Sequence, residues 1–513
     1  MRYTVSPPAL ALLAVVAGLT IGCEPRALPP LAPPMDIGPI DPGQPTDAGM
    51  QGPPPALTPS SGSMSGYFEV HLDLSQQTYG AADVERIELG GIAGIYLAPE
   101  GDGLRFMVQG QPEPGPVDLV ITTAAGEQRV TDAFSYDPPR VEGIQRVAAV
   151  GASISQGFQA GAITAHGVRG SPPAWVARQL GAHIGLPLFT DDLFPPITVA
   201  DIGPPPLCES PASSDWITRS VGLMVPKLTA VSPDGSPRAA GGRVDPTLDV
   251  SHLAISGSHV ADVLFGPMGG GATVLARLVY APDGAILDPV EDSPLDRVET
   301  LAPDILLAID VYGNDVLLEE PPDSVEEEED LRAILVEDIA AAVERMAGTG
   351  AEVFVGDIPP TSVMPKWRSM KAVAVAEAPP EEQDAVAAQF DADVAIIDER
   401  TRIANEALYA AVARFENVHR VPTAQAVLDI IDAPLMVGDE ALTVDLFGGL
   451  IGLDGVHFTD TGSAHTANLI IDAMNTALDL DVPRIDLETV LATDRERPSA
   501  LSEAGLPLDA CMR

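Results

Sequence analysis

Arg146-Val147-Ala148-Ala149-Val150-Gly151-Ala152-Ser153-Ile154-Ser155-Gln156-Gly157 is a short apolar run that enters a glycine-containing turn. It reads as a buried strand ending in a loop. Ser171-Pro172-Pro173 follows, an N-cap with proline in the first turn, and then Ala174-Trp175-Val176-Ala177 as a helix. Further buried-strand candidates lie at 253–256, 305–310 and 351–355. A helix is expected over about 330–346, with Leu331, Ile334, Leu335, Ile339 and Val343 on one face and Gly348 and Gly350 as its stop. Strands that alternate with helices imply a parallel sheet covered on both faces. Ligands in such folds bind at the carboxyl ends of the strands, so the loops there carry the chemistry.

Upstream the period changes. Over 59–136 Phe68, Val70, Leu72 and Leu74 alternate with polar residues, and Val117, Leu119 and Ile121 do so again. Gly90-Gly91, Gly101-Asp102-Gly103 and the 112–115 stretch supply turns, so a small all-β sandwich is expected. Residues 24–56 hold eleven prolines and four glycines without a hydrophobic period, which describes an extended tether. Before it, Arg2 and the uncharged apolar stretch 9–21 read as a secretory signal, shorter than the roughly 20 residues that span a bilayer.

The 513 residues carry 28 Lys+Arg against 74 Asp+Glu, a formal charge of −46. Phosphate backbones repel such a surface, so nucleic acid is excluded as a partner. The 46% hydrophobic content excludes a wholly disordered chain. After Cys23 only Cys208 and Cys511 remain. In an oxidising compartment the pair suggests a disulfide tying the tail to the body, with two free thiols as the other option. No cysteine or histidine spacing matches a metal site.

Three further blocks follow apolar runs. Ala254-Ile255-Ser256-Gly257 offers a backbone N–H that no side chain shields, and Asp310-Val311-Tyr312-Gly313-Asn314-Asp315 offers an amide. Such groups are the donors an acyl-transfer oxyanion requires. Leu453-Asp454-Gly455-Val456-His457-Phe458-Thr459 places a carboxylate three residues before a histidine, ahead of Thr461-Gly462 and an apolar helix. A serine hydroxyl needs a histidine base, and the histidine needs a carboxylate to fix its tautomer.

The four blocks, in this order, resemble the SGNH (GDSL-type) hydrolase family over about 141–481. The resemblance implies a flavodoxin-like α/β/α sandwich with a parallel sheet and ester hydrolysis without cofactor or metal. Ser153 matches the nucleophile and, through its own N–H, an oxyanion donor. Gly257 and Asn314 match the other donors, His457 the base and Asp454 its partner. Two positions depart from the pattern. Ala152 stands where the family has aspartate, which puts the rigidity of the turn in doubt. Tyr312 stands where it has glycine, either narrowing the pocket or packing under the loop.

The segment before it resembles an IPT/TIG immunoglobulin-like domain in Pro59-Ser60-Ser61-Gly62, the 84–91 stretch, Pro114-Gly115-Pro116-Val117 and Phe134-Ser135-Tyr136, which implies a spacer. Leu19-Thr20-Ile21-Gly22-Cys23 resembles a bacterial lipobox, which implies lipid attachment at Cys23 and a place in the cell envelope. The expected organisation is a signal at 1–22, a linker at 23–56, a β-sandwich at 57–138, a hydrolase domain at 141–490 and a tail at 491–513 without catalytic signal. Lipid esters fit the apolar Leu264-Phe265 and 359–364 loops, and glycan O-acetyl groups fit the tethered layout. An inactive binding lipoprotein and an acyltransferase are the rival readings. His252 and His259 are expected as loop or surface residues, the acidic run 319–330 as a solvated helix entry, and 190–249 as lid-like loops.

Overall fold

The computed structural model describes residues 53–189, 196–202, 243–245, 247–266, 276, 279–280, 292–317 and 324–508. The fold is mixed α/β with several sheets, some of them parallel. The first nine strands are β1 (Ala56–Thr58), β2 (Ser61–Ser63), β3 (Phe68–Asp73), β4 (Val84–Leu89), β5 (Ile92–Ala93), β6 (Ile95–Glu100), β7 (Gly103–Val108), β8 (Gly115–Thr123) and β9 (Gly126–Asp137). They make two sheets, ordered β1-β3-β7-β6 and β2-β9-β8-β4-β5. Val70 and Leu72 of β3, with Leu74 just past its end, bury one face, and they meet Ile87, Leu119, Ile121 and Phe134 of the other sheet in one core. Phe68, expected beside them, is half-buried and packs on that core. The turn between β4 and β5 is Gly90-Gly91, with φ of +60° and +84°, a conformation that side chains disfavour.

This β-segment does not end at its own core. Tyr67, Ile95 and Met107 belong to the core of the α/β body. The Leu186 N–H donates to the Tyr67 hydroxyl at 2.7 Å, and the Tyr96 hydroxyl donates to the Phe189 carbonyl at 3.0 Å. Gln109 Nε2 donates to Asp245 Oδ2 at 2.8 Å. A freely hinged spacer would not share side chains with its neighbour in this way.

The second sheet runs β10 (Val147–Ala149), β11 (Ile305–Ala308), β12 (Glu352–Gly356) and β13 (Val418–Val421), each parallel to the next. Aliphatic residues fill β10 and β11 throughout, as burial on both faces demands. Residues 251–255 lie along the free side of β10: Ala149 N–H donates to Ser251 O at 3.0 Å and Leu253 N–H to Ala149 O at 2.7 Å. Helices cover the sheet. Ser171 caps Pro172–Leu180, its hydroxyl accepting the Ala174 N–H.

The helix expected over 330–346 spans Val325–Gly348, because Ser324 caps it earlier and Glu326, Glu327 and Glu328 favour its positive end. Leu335, Ile339, Ala342, Val343 and Met346 face inward. Leu331 and Ile334, expected with them, are 42% and 56% exposed. At that end the inward face is taken by Glu328, which pairs with buried Arg400 of the helix Gln383–Val412. Glu328 is therefore not the solvated residue that the acidic run suggested. Among the described residues, no helix is long and apolar enough to cross a membrane.

Candidate active site

The serine turn is built around one carboxylate. Asp310, two residues past β11, accepts the N–H groups of Ala152 (3.0 Å), Ile154 (2.7 Å) and Ser155 (3.3 Å) and the Ser155 hydroxyl (2.6 Å). Gly151 adopts φ +138°, and a Cβ there would lie 2.4 Å from Asp310 Oδ1, so the chain needs glycine at this point. The aspartate missing at 152 is thus replaced in its supporting role from another strand. No described residue accepts the Ser153 N–H.

The histidine loop follows two short strands, β14 (Leu435–Val437) and β15 (Glu440–Leu446), and then β16 (Gly449–Ile451). Gly452 N–H donates to His457 O at 2.7 Å and Gly455 N–H to Gly452 O at 2.9 Å, closing a tight loop. Inside it, Asp454 Oδ1 accepts the Val456 and His457 N–H groups at 2.9 Å each. Its Oδ2 accepts the Gly161 N–H at 2.8 Å and faces His457 Nδ1 at 2.9 Å. Burial by itself would raise the Asp454 carboxyl, but His457 and these N–H donors outweigh it and pull the group down to about 2. An ionised carboxylate only accepts, so Nδ1 carries the proton. Nε2 is then the acceptor for the Ser153 hydroxyl, 2.8 Å away. Phe158 packs on the imidazole with ring centroids 4.5 Å apart.

The two remaining donors are tied to this turn. Gln156 Oε1 accepts the Ser256 N–H (2.8 Å) and hydroxyl (2.5 Å), which holds the Gly257 loop against the turn. Gly257 has φ +82°, and no described residue accepts its N–H. Asn314 Nδ2 donates one hydrogen to Ser258 O at 2.7 Å and keeps a second. Tyr312 is 1% exposed and donates its hydroxyl to Asn405 Oδ1 at 2.7 Å, so it packs under the loop and does not narrow a pocket.

Other expectations divide. His252 is a core residue: it meets the Ser171 hydroxyl at 3.2 Å, and burial pushes its imidazole down to about 4. His259 Nδ1 faces Asp315 Oδ1 at 3.2 Å. An apolar cavity opens beside the turn, lined among others by Ile154, Pro359, Met364, Leu450, Val456 and Phe458. Leu264, expected there, is buried elsewhere, and Phe265 is 63% exposed. Cys23, Cys208, Cys511 and most of 190–249 lie outside the described residues. Among the described residues, no group of three His, Cys, Asp or Glu side chains is arranged to hold a metal ion.

The tail, read as silent, reaches the site. Glu496 Oε2 accepts the Leu453 N–H at 2.7 Å, and Asp494 Oδ2 accepts the Thr461 N–H (2.8 Å) and hydroxyl (2.6 Å). Both flanks of the histidine loop are pinned by this segment. Nothing in its local sequence signals that role, whereas Asp310 at a strand end was open to notice.

No protein-family model matches the chain, and no curated protein matches it. Among solved structures, a proposed SGNH hydrolase from Slackia heliotrinireducens aligns with 64% of this chain and 99% of its own, at 12% identity and a TM-score of 0.28. A likeness of that size carries no weight in assigning chemistry, which rests on the residues above.

Proposed function

We propose that the chain is an SGNH-type serine hydrolase of carboxylic esters that works outside the cytoplasm. The observation that carries this reading is the run Ser153 Oγ–His457 Nε2 at 2.8 Å and His457 Nδ1–Asp454 Oδ2 at 2.9 Å. Ser153 Oγ bonds to the ester carbonyl carbon as its proton passes to His457 Nε2. Asp454 stabilises the imidazolium. The negative charge on the former carbonyl oxygen is met by Ser153 N–H, Gly257 N–H and the second Asn314 N–H. The C–O bond then breaks, the alcohol leaves with the proton from His457, and an acyl-serine remains. Water, deprotonated by the same imidazole, attacks that acyl-serine and releases the acid and the free serine.

The cavity lined by Ile154, Val456 and Phe458 supports an apolar acyl portion. The lipobox-like Cys23 and the proline-rich 23–56 stretch support attachment to the cell envelope, with the β-segment as an IPT/TIG-like unit.

The test is hydrolysis of p-nitrophenyl esters from acetate to long acyl chains, beside Ser153→Ala. A loss of about 10⁴-fold or more in kcat is expected. A loss below about tenfold, or folded wild-type protein that neither turns over esters nor labels at Ser153 with a fluorophosphonate, would refute the reading.

A further inference from the structure

Of the chain's 28 cationic residues only three are lysines, Lys227, Lys366 and Lys371. Lys366 and Lys371 lie on the helix Pro365–Glu377 together with Arg368. Arg368 pairs with Asp445 at 2.7 Å and Lys371 with Asp391 at 2.5 Å. Lys366, half-buried, has no ion-pair partner among the described residues, in a chain with 74 carboxylates. An ammonium that loses part of its water without gaining a counter-ion is costly. Burial accordingly lowers its pKa, against the pull of Asp454. Asp454 is no partner for it, since His457, Gly161 and Val456 already occupy that carboxylate.

The position of Lys366 gives the charge a use. The Lys366 N–H donates to Gly455 O at 3.1 Å, inside the histidine loop. The next residue, Trp367, donates its indole N–H to Leu317 O at 3.1 Å, at the end of the helix Gly313–Leu317 that carries Asn314. The first turn of this helix therefore bridges the base and an oxyanion donor. In the mechanism proposed above, the leaving alcohol takes its proton from His457. A group beside the 452–457 loop meets the alcohol side of the ester.

The geometry points to Lys366 as the residue that selects esters whose alcohol portion carries a negative charge. This rests on the hydrolase reading. The charge of −46 does not oppose it at contact range, because salt screens distant charges beyond about 8 Å.

The probe pair is 4-acetoxybenzoate and its methyl ester, which differ by one charge on the alcohol side. The ratio of kcat/KM for the anion over the neutral ester should fall about 10–100-fold in Lys366→Met, through KM. It should fall further in Lys366→Glu and be largely retained in Lys366→Arg. An unchanged ratio in Lys366→Met, with both esters losing equally, would overturn the assignment and leave Lys366 a structural residue. Calorimetry on Ser153→Ala with and without Lys366→Met reads the same preference without turnover. Tighter binding of the anion only where Lys366 is present supports the assignment even if hydrolysis fails, and equal binding in both proteins overturns it.

Discussion

Glu496 accepts the Leu453 N–H at 2.7 Å, and the residue it holds is the one directly before Asp454. Burial, with Asp454, Asp494 and Asp460 nearby, pushes the Glu496 carboxyl up to about 8, although the Leu453 N–H pulls the other way. In the unfolded chain it would ionise near 4.5. The native state therefore holds a proton that the unfolded state has released. Its contribution to stability is complete below about pH 4.5 and is lost as the pH rises through about 8. Thermal unfolding between pH 5 and 9 should show the wild-type Tm dropping relative to Glu496→Gln. Parallel curves for the two proteins would remove Glu496 from this role.

Asp310→Ala leaves the N–H groups of Ala152, Ile154 and Ser155 without their acceptor in a buried turn. Each such orphan costs about 1–3 kcal/mol, so urea unfolding should show a loss of at least ~2 kcal/mol. Turnover should fall about 10²-fold, because the turn that aims Ser153 shifts. Wild-type stability together with wild-type turnover would show that the turn holds itself.

Asn314→Ala should lower kcat by about 10²–10³-fold with little change in KM, the pattern of a donor used only in the transition state. Steady-state kinetics on one ester decides it. A change confined to KM would place Asn314 in ground-state binding.

Arg400 and Glu328 form an ion pair whose side chains are almost wholly buried, and Arg400 also reaches the Asp315 carbonyl at 3.4 Å. Arg400→Met alone should destabilise by about 3–5 kcal/mol, since it strands a buried carboxylate. Adding Glu328→Leu should recover most of that loss. A double-mutant cycle with no coupling between the two sites would contradict it.

Ser153, Asp454 and His457 were legible because their signals are local: a glycine turn after an apolar run, and a carboxylate three residues before a histidine. The structure brings these side chains within hydrogen-bond reach. Asp310 and Glu496 were not recognised as supports, because each acts across a separation in sequence, 158 and 43 residues respectively, that no periodicity records. The alternating β3 pattern was readable for a similar local reason. The inward face of Val325–Gly348 was misread at Leu331 and Ile334, since the partner that decides it, Arg400, lies on another helix. Tyr312 allowed two readings until Asn405 was seen to hold its hydroxyl.

Tyr67, Ile95 and Met107 reach out of the β-segment into the core of the α/β body. A module that travels between genes as an interchangeable bead must leave behind a neighbour with a finished surface. Removing this one would uncover a greasy scar on the body and strip the Leu186 N–H of its acceptor. Any lineage that recombined this front segment would have had to carry the facing wall with it, so the two halves are expected to share a single ancestry.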